Sequence, residues 1–178
     1  MTPAQVLILP GYGDSGPEHW QTHWERAHGY VRVEQDDWLE PTRDAWVTTL
    51  ERAVTAAPGP VVLVAHSLAC ALVAHLVTRP AVHRVAGALL VAPADVESEN
   101  HTPDEVRSFA PLPLVRFPFP SIVVASSDDP FVDAARARQF AAAWGARLVE
   151  IGDAGHINAD IGFGPWPEGH ALLASLLG

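Results

Sequence analysis

Cysteine is almost absent: Cys70 is the only one, so no disulfide can form within the chain, which fits a reducing compartment. It falls in an apolar stretch and reads as a small buried hydrophobe. Basic residues are scarce, 11 against 21 acidic ones, for a formal net charge of −10 and a pI near 5.2. That balance argues against nucleic acid or an anionic membrane surface as a partner. No apolar run approaches membrane-spanning length, and Met1-Thr2-Pro3-Ala4-Gln5 lacks the basic region of a secretion signal. The expectation is a soluble, cytoplasmic protein. No repeat, linker or low-complexity tract divides the chain. Its 178 residues therefore predict a single domain, 1–178, whose core needs no disulfide or metal to hold it.

What the chain does have is an alternation of short apolar runs with helical patterns. Strands are expected at Val6–Leu9, Tyr30–Glu34, Val61–Ala65, Val85–Val91, Ser121–Ala125 and Arg147–Ile151. Helices are expected from Ser15 to His28, where Ser15-Gly16-Pro17-Glu18 has the form of a capping box, and then from Asp44 to Ala57. Others follow from Ser67 to Thr78, from Ala134 to Trp144 and from Pro167 to Leu177. Residues 93–120 are irregular and rich in proline, with one short helix capped by Thr102. The alternation predicts an α/β fold: a three-layer, doubly wound, mainly parallel six-stranded sheet with helices on both faces. In such sheets the chemistry collects at the C-terminal ends of the strands.

The stretch that stands out is Ala65-His66-Ser67-Leu68-Ala69. It joins an apolar β-branched run, suited to a strand buried on both faces, to an Ala/Leu-rich helical run. It has the form of a Gly-x-Ser-x-Gly nucleophile elbow with alanine in place of both glycines. A serine hydroxyl there needs a base, and the base needs an orienting acid. Asp128-Asp129-Pro130-Phe131-Val132 follows the fifth strand and Gly155-His156 follows the sixth. Alone, His156 reads as a loop histidine and Asp129 as a turn former. Serine, aspartate and histidine in that order after the third, fifth and sixth strands match the chain order of an α/β-hydrolase. The Asp-Pro-x-Val form of the turn favours Asp129 over Asp128, and Asp95, after the fourth strand, is the reserve acid. Oxyanion donors are expected at the backbone amides of Leu68 and Tyr12.

At this point the sequence resembles the small serine hydrolases related to YdeN and to retinoblastoma-binding protein nine, a branch of the α/β-hydrolase superfamily. The resemblance covers nearly the whole chain. It runs through Pro10-Gly11-Tyr12-Gly13 with His19-Trp20, Gln35-x-Asp37-Trp38, His66-Ser67-Leu68, and Ala92-Pro93-Ala94-Asp95. It continues in Ser127-Asp128-Asp129-Pro130-Phe131, Gly155-His156-Ile157-Asn158 and Gly162-Phe163-Gly164-Pro165-Trp166. The resemblance implies Ser67 as nucleophile, Asp129 as acid and His156 as base. It also implies a reduced fold of six strands ordered 2-1-3-4-5-6 with no cap domain. It fixes no substrate.

The activity expected is cleavage of small esters or amides through an acyl-enzyme, with at most a short lid from residues 93–120. A binding module that keeps the fold without turnover is the alternative. Gly11, His19, Trp38, Asp95 and Trp166 are candidates for the substrate pocket. A further rival is a dinucleotide site: Gly11-x-Gly13-x-x-Gly16 after a strand, with Glu34 where a ribose-binding acid belongs. Pro17 directly after the third glycine and the carboxylate of Asp14 count against it. His19 and His23 have the spacing of two zinc ligands but no glutamate between them and no evident third ligand. No metal or cofactor is therefore expected.

Overall fold

The apolar runs bounded by glycine and proline fold as strands of one sheet: β1 Gln5–Leu9, β2 Val31–Arg32, β3 Val61–His66, β4 Val85–Val91, β5 Ser121–Ala125 and β6 Arg147–Glu150. The computed structural model describes residues 2–178. Every neighbouring pair is parallel and the strand order is β2-β1-β3-β4-β5-β6. This is the expected α/β fold and order. It also differs from the 3-2-1-4-5-6 order of a dinucleotide-binding sheet. The central strand β3 is buried along its whole length, as its β-branched run requires.

Five helices flank the sheet: α1 Trp20–His28, α2 Arg43–Ala56, α3 Leu68–Leu76, α4 Ala134–Trp144 and α5 Pro167–Leu177. One core unites alternate strand residues with Trp46 and Leu50 of α2, all of buried α3, and Phe140 and Trp144 of α4. The other unites the opposite face of β1, β3 and β4 with Trp20 and Trp24 of α1, Trp166 and Leu173. The sheet thus lies between two helical layers. Each large side chain fully buried in them contributes about 1.5–3 kcal/mol.

Two elements depart from expectation. The first helix starts at Trp20, not at Ser15. Its N-cap is His19, whose Nδ1 accepts from the Gln21 amide. Ser15 cannot cap because its hydroxyl donates to Gln21 Oε1 at 2.6 Å, while the carbonyls of Ser15 and Gly16 accept from Thr22 Oγ1. The second strand keeps only two residues of the five expected, with one further bond from Val33 N to Ile8 O. It lies at the edge of the sheet, where one neighbour alone supports it.

Residues 93–120 hold a 3₁₀ helix, Asp104–Phe109. Its expected cap, Thr102, instead sends its hydroxyl to the carbonyls of Asp95 and Ser98. Val106, Phe109 and Leu112 are buried in the first core. Phe109 stands edge-on to Trp46, and its carbonyl accepts from His75 Nε2. Phe109 thus anchors the segment against α2 and α3, while Leu114 and Val115 stay exposed.

Candidate active site

Strand β3 ends at His66, and Ser67 makes the turn into α3 with φ +58° and ψ −120°. An L-residue is strained there by roughly 1–3 kcal/mol, a cost met only where the surroundings hold it. They do: the Ser67 amide donates to Val91 O, and its carbonyl accepts from Cys70 N. Ala65 and Ala69 are fully buried, so alanine on both sides suffices for the turn. The close approach is met elsewhere, at Gly11. A Cβ on Gly11 would lie 2.9 Å from His66 O and 3.1 Å from Ser67 Cβ.

Beyond β5, Asp129 has a side chain with no solvent exposure; beyond β6, His156 is about one-tenth exposed. The three side chains meet. His156 Nε2 lies 2.8 Å from Ser67 Oγ, and Nδ1 lies 2.9 and 3.1 Å from the two oxygens of Asp129. Asp129 also accepts the Phe131 amide at 2.9 Å, and the Phe131 ring tilts against the imidazole at 4.4 Å. With a carboxylate on Nδ1, the proton of a neutral His156 sits there and Nε2 faces the serine as an acceptor. A hydroxyl, an imidazole and a carboxylate are therefore in one line of hydrogen bonds.

The amides of Leu68 and Tyr12 have no hydrogen-bond acceptor among the described residues. Leu68 is the first residue of α3, where an N–H has no partner within the helix. Tyr12 sits in a turn closed by Asp14 N to Gly11 O, pinned by Gly13 N to Trp38 O at 2.9 Å.

The other candidates are held in other ways. Asp95 is buried, with its Oδ2 accepting from Arg136 Nε at 3.2 Å and its Oδ1 accepting the Glu97 amide. It is an ion-pair partner, not a second acid for His156. Trp38 packs edge-on against Trp46 and is an anchor. Trp166 is 8 % exposed and stacks on Trp24 beside Trp20, so it belongs to the core, not to a pocket wall. His19 uses Nδ1 as a helix cap, and its buried Nε2 has no hydrogen-bond partner among the described residues. Of the glycines that resembled a phosphate loop, Gly11 serves the elbow, and α1 begins only at Trp20, well past Gly16.

Several supports of the site were not read from the sequence. His66 Nε2 donates to His156 O at 2.9 Å, and Trp20 Nε1 donates to Ile157 O. Gln21, completely buried, donates to Leu9 O and Val64 O, tying the ends of β1 and β3. Cys70 is buried, and burial pushes its thiol pKa far up.

Two imidazoles behind the site are kept neutral. Burial first, then the nearness of His156 and Arg32, lowers the His19 pKa to about 3; burial likewise holds His66 well below its ordinary value. The unfolded chain binds a proton at each below about pH 6.5 while the folded chain does not, so stability falls as pH drops through that value. For His19 the loss continues to about pH 3. Between pH 7 and pH 5 His19 alone is expected to remove about 2 kcal/mol. Urea unfolding of the protein and of His19→Gln at both pH values checks this. The variant should show the smaller loss, and equal losses would contradict the assignment.

A parallel sheet of this order, with a strained serine after its third strand and a histidine and an aspartate after its last two, defines an α/β-hydrolase. Among curated proteins none matches the chain. The serine hydrolase family model matches residues 6–175, and the chain belongs to that family. A YdeN-like hydrolase from Pectobacterium atrosepticum is 34% identical, over 98% of this chain and 91% of its own, with a TM-score of 0.87. The ydeN gene product of B. subtilis is 24% identical, over 97% and 98%, with a TM-score of 0.74. Esterase 2 of Thermogutta terrifontis shares the fold at 16% identity, over 99% and 83%, with a TM-score of 0.71. No helix among the described residues is long and apolar enough to cross a membrane.

Proposed function

We propose that this hydrolase cleaves small esters or amides by acyl transfer through Ser67, as one domain without a cap. The observation that carries the reading is the unbroken series Asp129–His156–Ser67. His156 Nε2 takes the Ser67 proton as the oxygen attacks the carbonyl carbon, and Asp129 stabilises the imidazolium formed. The carbonyl oxygen, now an anion, accepts from the amides of Tyr12 and Leu68, a pair of donors of the kind worth ~2.7–4 kcal/mol each in the transition state. His156 returns the proton to the departing alcohol or amine. Water, deprotonated by the same imidazole, then releases the acid and restores Ser67. The experiment is stopped-flow hydrolysis of p-nitrophenyl esters. The reading expects a burst of nitrophenol equal to the enzyme present; a binding module without turnover releases none.

Charge at this edge bears on which esters react. The loops after β1, β2, β4, β5 and β6 (10–19, 33–42, 92–103, 126–133 and 151–166) hold fourteen of the 21 acidic residues and none of the 11 basic ones. Arg32 and Arg136 reach in to pair with Asp14, Asp95 and Glu97, and the field of the remaining carboxylates repels anions over about a Debye length. An ester with a carboxylate on its acyl chain should show a kcat/KM about 10-fold below that of a neutral isostere at low salt. Added salt should narrow the gap. A gap that salt leaves unchanged would assign the difference to shape.

A further inference from the structure

Asp128 stands beside the acid Asp129 but turns away from His156. Its Oδ1 accepts from Ser126 Oγ at 2.8 Å and from the Gly155 amide at 2.7 Å. Ser126, buried, in turn accepts the Ala154 amide on its own oxygen at 2.9 Å. Two consecutive amides of the loop that ends in His156 are therefore held by two side chains of the loop that ends in Asp129. Two further bonds join the same loops, Ser127 N to Gly152 O and Ser127 Oγ to Asp153 Oδ1. The amide that Asp128 holds belongs to Gly155, which has φ +52° and packs under Ile161. That residue immediately precedes the base. Of the several bonds that join the acid loop to the base loop, Asp129 holds the imidazole and Asp128 holds the amide of the residue just before it.

We infer that Asp128 is a positioning residue for the reaction: by clamping the Gly155 amide it sets the distance and angle at which His156 meets Asp129 and Ser67. The inference rests on the reading of Ser67, His156 and Asp129 as the reacting groups. Asp128 does not touch the imidazole, so it acts through the loop. An acceptor at Oδ1 is what the clamp needs, and asparagine supplies one while alanine does not. The Ser126 hydroxyl and the Gly155 amide also hold the Asp128 carboxyl pKa below its ordinary value, the hydroxyl having the larger effect. The clamp therefore stays intact across the pH range in which an imidazole titrates.

The test compares the wild-type protein with Asp128→Ala, Asp128→Asn and, as a second way to break the same link, Ser126→Ala. Steady-state ester hydrolysis is followed against pH, and thermal unfolding is recorded for each. Asp128→Ala should lower kcat by about 10- to 100-fold through misplacement of the base, with KM nearly unchanged. The acidic limb of its pH profile should move to lower pH, because a loosened Asp129 stabilises the imidazolium less. Asp128→Asn should recover most of kcat and the wild-type profile, and Ser126→Ala should fall between. If Asp128→Ala keeps the wild-type kcat and profile, or if both Asp128 variants lose stability and rate together with no change in profile, the inference is overturned. A fluorophosphonate run on the wild type separates the two levels. Labelled Ser67 with an unaffected Asp128→Ala removes the inference alone, and an unlabelled Ser67 removes the reading beneath it as well.

Discussion

Replacing Ser67 by alanine is expected to lower ester turnover by about a millionfold, the scale seen when a serine nucleophile is removed from a working triad. The fold should survive. Ser67 stabilises nothing by its hydroxyl except the bond to His156, and its backbone bonds to Val91 and Cys70 do not involve the side chain. Alanine meets the same positive φ as serine, so the strain at the elbow is nearly unchanged. Thermal unfolding should move by no more than a few degrees, as for deletion of one partly buried hydroxyl worth about 1 kcal/mol. Loss of turnover with an intact melting transition is the expected pair of results. Turnover within 10-fold of wild type would mean that the ester is cleaved elsewhere.

Asp129→Asn should cost about 10⁴ in kcat, the size found when an orienting aspartate becomes an amide. The reason is a tautomer. The Phe131 amide already donates to Asp129 Oδ1, which fixes the acceptor end of the side chain there. Both carboxylate oxygens lie near His156 Nδ1, Oδ1 at 2.9 Å and Oδ2 at 3.1 Å. An asparagine whose Oδ1 keeps the Phe131 amide therefore puts its NH₂ at the Oδ2 position, where its hydrogen favours an unprotonated Nδ1. The imidazole then keeps its proton on Nε2, facing Ser67, where it cannot accept the hydroxyl proton. Asp95 cannot replace the lost acid, because Arg136 and the Glu97 amide hold its carboxylate. Activity rising again in the double variant Asp129→Asn/Arg136→Gln would show that Asp95 had been held in reserve; none is expected. Steady-state hydrolysis at neutral pH measures both variants.

Much of this architecture can be read along the chain. The β4 and β5 strands and the α4 and α5 helices fall where apolar runs end at proline, glycine or a polar turn. These are cases in which local chemistry and tertiary packing agree. The α1 start illustrates the opposite. Ser15-Gly16-Pro17-Glu18 has every local mark of a capping box, yet a buried Gln21, which must satisfy its amide between β1 and β3, claims the serine hydroxyl. A burial requirement across two strands outweighs a cap worth about 1 kcal/mol. At the candidate site, the order of Ser67, Asp129 and His156 is visible because each follows a strand. The choice between Asp128 and Asp129 rests on one turn, and in the structure the neighbours have different partners, the Gly155 amide and the His156 imidazole. What sequence spacing does not carry is which carbonyl a tryptophan or histidine will reach. Trp20 to Ile157, His66 to His156 and Trp166 against Trp24 join positions far apart in the chain. For that reason Trp166 resembled a pocket wall, and Asp95 a spare acid whose arginine sits a helix away.

The most direct measurement is mass spectrometry of the protein after reaction with a fluorophosphonate. An activated serine attacks phosphorus and expels fluoride, so the native protein should carry one adduct, on the peptide that contains Ser67. Acid-unfolded protein and Asp129→Asn should be labelled far more slowly. An unmodified Ser67 under conditions that label another serine hydrolase, or an adduct on a different residue, would contradict the account.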